Sequence, residues 1–221
     1  MDMKKIFYLF PVIFTLFSCN SNERVSREVF EEVNKSMKVT KVNEAELIET
    51  AIKWGNQISQ EAQEELIGTL QQAISEKGFP GAVEFCNVEA LPILKQVSEK
   101  YKVEIRRVSF DYRNPEDAPR EEEEGILDTY VYNMENDLES EPSVQKFDNG
   151  ETLLYSRAIK IPSALCLNCH GKPDQDIDPK TLEKINELYP EDRATGHSMG
   201  DLRGMWSIRF PKKEVVKKMG S

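Results

Sequence analysis

From Asn43 onward, apolar residues recur at helical spacing: Leu47, Ile48, Ala51, Ile52, Ile58, Ala62, Leu66, Leu70, Ala73 and Ile74. Asn43 with Glu46 three positions later makes a capping box, so the pattern predicts a long amphipathic helix over 43–77, bent near Gly55 or Gly68. Gly78, Phe79, Pro80 and Gly81 end it, and a short apolar segment containing Cys86 follows. Asn87 is placed to cap a second helix reaching Tyr101, with Pro92 tolerated in its first turn. The period then changes. Residues 103–110 are rich in β-branched side chains and read as a strand whose alternation slips at Arg106 and Arg107, which implies a bulge or two covered faces. After a turn-rich loop over 111–119, Glu121 to Glu124 open a helix whose buried face is Ile126, Leu127, Tyr130, Val131 and Met134. The four glutamates read as a solvated first turn. Asn149 and Gly150 signal a tight hairpin, and Leu153, Tyr155, Arg157, Ile159 and Ile161 alternate on one face of its second arm. A short helix over 181–189 and a last strand over 205–210 complete the pattern. Helices first and at least four strand candidates after them predict an antiparallel sheet in an α+β domain, with no internal repeat.

Upstream of this domain the chain changes character. Lys4 and Lys5 precede an apolar run from Ile6 to Phe17, and LFSC at 16–19 resembles a bacterial lipobox, so residues 1–18 read as a lipoprotein signal peptide with lipid on Cys19. A run of that length falls short of the roughly 20 apolar residues a spanning helix needs, which leaves the lipid as the one expected membrane connection. Residues 19–42 read as a polar, partly helical tether, and 43–221 as the domain. An ordinary secretory signal with an incidental cysteine is the bland alternative. The expected location is extracytoplasmic, on the periplasmic side of a membrane or at the cell surface.

With 29 basic against 39 acidic side chains the chain carries a net charge of −10, and no basic stretch is segregated from the rest. That field repels phosphates and excludes nucleic acid as a partner class, while it favours a basic redox partner. The length of the first domain helix also leaves open a homodimer through a coiled-coil stripe.

The candidate chemistry sits at Cys166 to His170, CLNCH. Two thiols three positions apart followed by an imidazole form the attachment signal for one c-type haem: Cys166 and Cys169 make the thioethers and His170 becomes an axial ligand. Zinc would need a fourth ligand, from Cys86 or His197. A thioredoxin-type dithiol would start a helix, and Gly171, Lys172 and Pro173 stand against that. An export signal and haem attachment reinforce each other, since thioethers to haem are made outside the bacterial cytoplasm. Cys86 is then the odd thiol in an oxidising compartment, either buried packing, paired between molecules, or a ligand.

GAVEFCNVEA around Cys86, RRVSFDYRNPEDAP, CLNCHGKP and ATGHSMGDLRGMWSI, in that order across about residues 45–210, resemble the family of c-type haem domains with a PAS-like fold. Its members occur as exported single-haem proteins and as input domains of sensor kinases. The resemblance implies a PAS-like antiparallel sheet preceded by long N-terminal helices, covalent haem c, His170 on the iron and an axial thiolate mapping onto Cys86. His197 departs from the family pattern and reads as an exposed loop histidine or a replacement ligand. Met199 and Met205 are weaker rivals, read as packing residues. Arg107, Arg113 and Asn114 are candidates for the haem propionates, with turn-shaping as the alternative for the last two.

The resulting expectation is an extracytoplasmic lipid-anchored cytochrome, without catalysis, that serves as a redox or gas sensor or as a low-potential electron carrier. Since no output domain follows, sensing would need a redox or signalling protein partner. The contrasting expectation is a non-haem lipoprotein whose PAS-like domain binds a small ligand or partner protein.

Overall fold

The computed structural model describes residues 26–36 and 42–219. The signal segment 1–18 and Cys19 lie outside them. The chain divides into two compact units, Met1–Lys41 and Val42–Ser221. Within the first, Arg27–Ser36 forms helix α1, with Val29 and Phe30 exposed.

The second unit begins with α2, Glu44–Tyr101, whose first turn is capped by the Asn43 side chain accepting from the Ala45 and Glu46 amides. Leu47, Ala51, Trp54, Ile58 and Ala62 are buried along one stripe, as the sequence periodicity requires. The backbone stays helical through Gly55 and Gly68. Its break is at Gly78, where φ is 68° and ψ −177°. Gly55 instead provides close approach: a Cβ there would lie 2.3 Å from the Tyr155 ring. Pro80 sits in the first turn after the kink, where a missing N–H costs nothing, so helix resumes at once. Cys86 is therefore helical, Asn87 is no cap, and Pro92 is a helix-interior proline, contrary to the sequence expectation of a loop and a new start.

Four strands follow: β1 Glu104–Val108, β2 Ser143–Phe147, β3 Thr152–Lys160 and β4 Leu202–Pro211. All pairs are antiparallel in the order β1-β4-β3-β2. With the long helix ahead of it this is an α+β, PAS-like arrangement. The β2–β3 turn runs through Asp148, Asn149 and Gly150, all at positive φ, the region Asn, Asp and Gly tolerate best.

Both faces of the sheet are covered, which explains the slipped alternation of β1. Ile105, Leu153, Tyr155, Trp206, Ile208 and Phe210 join the α2 stripe, with the Trp54 ring stacked on Phe210 at 4.9 Å. Val108, Leu154, Leu202 and Met205 pack under α3, Glu121–Glu135, against Ile126, Leu127 and Tyr130. The pairing of β1 is regular, and the sheet's one irregularity falls at Ile159/Lys160. The first turn of α3 is not simply solvated: Glu123 is fully buried and Glu122 pairs with Arg209. Helices α4, Ala164–His170, and α5, Pro179–Leu188, lie between β3 and β4 in the chain. A C-terminal helix, α6 Lys212–Met219, buries Val215 in the α2-side core. No helix among the described residues is long and apolar enough to cross a membrane.

Candidate functional site

CLNCH is itself a helix. In the seven residues of α4, Cys166, Cys169 and His170 fall at i, i+3 and i+4 and so share one face. The helix ends where Gly171 donates to the Leu167 carbonyl. A Cβ at Gly171 would lie 2.6 Å from that same oxygen, so this sharp stop needs glycine.

The end of α4 is tied down from three sides. The His197 amide donates to the His170 carbonyl at 2.9 Å, and the Gly196 amide to the Gly171 carbonyl at 2.8 Å. Arg113 donates to the Cys169 carbonyl at 2.6 Å and to Asp192 at 2.8 Å. The His170 Nδ1–H donates to the Ala194 carbonyl at 2.8 Å, which assigns the proton to Nδ1 and leaves Nε2 as the lone-pair nitrogen. Arg203 Nε, 3.3 Å from the same Nδ1, then acts on the ring as a charge rather than as a donor. Desolvation first, and Arg203 and Arg113 next, hold the His170 pKa well below its ordinary value, so the ring is a neutral imidazole across the physiological range. That is the protonation state and tautomer an imidazole needs to bind a metal through Nε2.

Cys169 packs against an apolar cluster of Val83, Ile177 and Ile185, and its thiol is pushed up to about 11 by burial. Val83 lies one helical turn before Cys86. Burial also raises the Cys86 thiol, and Arg107 and Arg113 are near enough to pull it partly back. These thiols are protonated and shielded, the opposite of the low-pKa, accessible cysteine a disulfide oxidoreductase requires. Among the described residues no group of three His, Cys, Asp or Glu side chains could hold a metal ion, so zinc has no cage here.

The structure thus brings Cys86, Cys169, Arg107, Arg113 and Tyr189 into one neighbourhood, with Cys166 and His170 on the adjoining helix face. His197 is not an exposed loop histidine. It is 8% exposed, its ring stands 6.4 Å from that of His170, and its Nε2 is buried with no hydrogen-bond partner. Asn114 caps the 3-10 turn Pro115–Asp117 by accepting from the Glu116 amide. Arg113 is committed to Asp192 and Cys169, whereas Arg107 keeps a buried Nε–H without a partner. Met205 is fully buried packing and Met199 is exposed.

Sequence reading missed Arg203, Asp192, Asp117 and the Ala194 carbonyl. Arg203 stands inside the ATGHSMGDLRG motif, a signal that was available, and burial between Arg107 and Arg113 lowers its pKa to about 10. Asp117, buried nearby, has its carboxyl raised by desolvation against the pull of Arg107 and Arg203. A backbone acceptor such as Ala194 carries no sequence signal. A surface depression lined by 173–179 and Leu182 shares Ile177 and Leu182 with the apolar cluster against which Cys169 packs.

A family model described as Tll0287-like matches residues 20–211. The chain belongs to the Tll0287-like family. Among solved structures, the crystal structure of the cyanobacterial heme-protein Tll0287 is similar at 27% identity, over 66% of this chain and 91% of that one, with a TM-score of 0.43. A superposition that loose adds nothing to the fold argument, which rests on the strand pairing above. No curated protein matches the chain. The match to the Tll0287-like family spans all four motifs around Cys86, Arg113, His170 and His197.

Proposed function

We propose that this protein is an extracytoplasmic, lipid-anchored, single-haem c-type cytochrome of low potential, serving electron transfer or haem-linked sensing through a protein partner. The observation that carries the reading is the face of α4: two cysteines and a neutral histidine, with Nδ1 engaged by Ala194 and Nε2 left as ligand. The relative's description as a heme-protein supports it. Cys166 and Cys169 would hold the haem as thioethers, and His170 and Cys86 would be the ligands of its iron. The donor set fits this group, since an apolar wall of Val83, Ile177 and Ile185 adjoins Cys169. When bound, the haem supplies a one-electron couple.

The chain's own residues do the rest. Ala194 orients the imidazole, and Arg113 fixes the C-terminal end of α4 through the Cys169 carbonyl. Cys86 must release its proton to serve as thiolate, and Arg107 and Arg113 offset the burial that opposes this. An anionic axial ligand stabilises the ferric state and lowers the potential.

The test is the visible spectrum of protein exported with a cytochrome-maturation system, oxidised, reduced, and reduced under carbon monoxide. Covalent haem is expected in the native chain, and Cys166→Ala with Cys169→Ala should lose it. Colourless protein would sink the reading and leave a lipoprotein binding some other ligand. Cys86→Ala should change the ferric spectrum, and an unchanged one would remove the thiolate. Rapid carbon monoxide binding to the reduced protein would select sensing over simple carriage.

A further inference from the structure

On the α2 side of the sheet, one row of side chains consists only of hydrogen-bond donors. Strand pairing sets Arg107 of β1 opposite Trp206 of β4, and Trp206 opposite Arg157 of β3, so the three share one face in adjacent positions. Trp206 is 2% exposed, and its indole Nε1–H is buried with no partner. Among the described residues the Arg107 Nε–H is likewise buried and unpaired, and the carboxylate paired with this side chain, Asp117, stands 3.7 Å from Nη2. Arg157 reaches a single neutral acceptor, Gln63 Oε1, at 3.4 Å.

Indole and guanidinium carry no acceptor, so the row cannot satisfy itself. Leaving buried donors unmade costs about 1–3 kcal/mol each, and two orphaned donors on paired residues, one of them on a guanidinium, with a second guanidinium next in the row, point to an anion with two or more acceptor oxygens. The row opens to solvent at its Arg107 end, because β1 is an edge strand and the Arg107 side chain is 37% exposed. It also adjoins the haem neighbourhood, through the proximity of Arg107 to Cys86.

We infer that Arg107, Trp206 and Arg157 form a carboxylate-binding row, with the Trp206 indole N–H as its central donor. The carboxylate comes either from a propionate of the haem, in which case the inference rests on the function proposed above, or from a free organic acid.

Two measurements on the full-length purified protein separate these sources. In holoprotein, resonance Raman spectroscopy follows the propionate bending band, and calorimetric titration with acetate and succinate follows free carboxylates. Trp206→Phe keeps the packed ring and removes only the N–H, while Arg157→Gln removes one cation. A propionate in the row predicts a shifted band in both variants and no acetate heat in the native protein. A free acid predicts saturable acetate or succinate binding that weakens about tenfold in each variant, the size of one charge-assisted hydrogen bond. An unshifted band together with no carboxylate binding overturns the row. If the exported chain carries no covalent haem, the function proposed above fails, and the acetate and succinate titration still decides the row on that chain.

Discussion

Two rows of polar side chains cross the sheet one residue apart, on opposite faces, and they were completed in opposite ways. Toward α3 the row is Arg106, Ser207, Ser156 and Ser143. Glu123 accepts from Arg106 at 2.7 Å, from Ser207 at 2.6 Å and from the Arg120 amide at 2.9 Å, while Tyr130 and Ser143 each lie 2.9 Å from the Ser156 hydroxyl. Toward α2 the row is Arg107, Trp206 and Arg157, and among the described residues a neutral amide and a distant carboxylate are all that reach it. A face that the chain can satisfy alone is a structural element. The α2-side row, whose Arg107 lies near Cys86, is the one inferred above to take a carboxylate.

The contrast can be broken by mutation. The largest effect should come from Glu123→Ala, which strands a partly buried guanidinium and a buried hydroxyl; removing one partner of such a pair costs about 3–5 kcal/mol. Urea denaturation measures this, and a loss below about 1 kcal/mol would mean that the α3 row is not held by its carboxylate.

Gly55→Ala comes next. Its methyl would drive into the Tyr155 ring and cost about 1–3 kcal/mol by overpacking, read by the same method.

Acid titration should separate the regions by pH. Burial depresses the pKa values of His170 and His197, so in haem-free chain the unfolded state takes up these protons first. Stability contributed by the neutral rings is present above the unfolded value of 6.5 and is lost as pH falls below it, by up to about 1.4 kcal/mol per pH unit for each ring. Glu104, lowered from 4.5 mainly by its hydrogen bond to Arg120, loses its contribution only below that value. His170→Gln should shrink the upper step of the stability–pH curve, and an unchanged step would show that this ring is not the titrating group.

Arg157→Met should have the smallest effect on stability, within about 0.5 kcal/mol, because no carboxylate is deprived of a partner. A large loss would show that the α2 row already supports the fold and would remove the contrast.

Much of the fold could be read from periodicity. The α2 stripe, the alternation of β3, the hairpin and the antiparallel α+β class follow from local spacing. The errors are equally local in origin. Gly55 and Gly68 look like hinges because glycine permits bending, but Tyr155, 100 residues away, decides that Gly55 is a contact. Phe79 to Gly81 look like a terminus because Pro and Gly end helices, yet Pro80 falls just after the kink, where it can start one. Glu123 looked solvated among its acidic neighbours, since nothing beside it reveals Arg106 and Ser207.

The site divides along the same line. By itself the sequence determined that Cys166, Cys169 and His170 lie together, because five consecutive residues keep them within one helical turn. It also singled out Cys86 by cysteine arithmetic. Only the tertiary structure decided that Ala194 holds Nδ1, that burial, with Arg203 and Arg113, lowers the pKa of the ring, that His197 is buried, and that Arg107, Trp206 and Arg157 stand in line. Those relations depend on strand register and on backbone carbonyls. Neither leaves a mark on residue identity, because any sequence able to make the strands presents the same carbonyl groups.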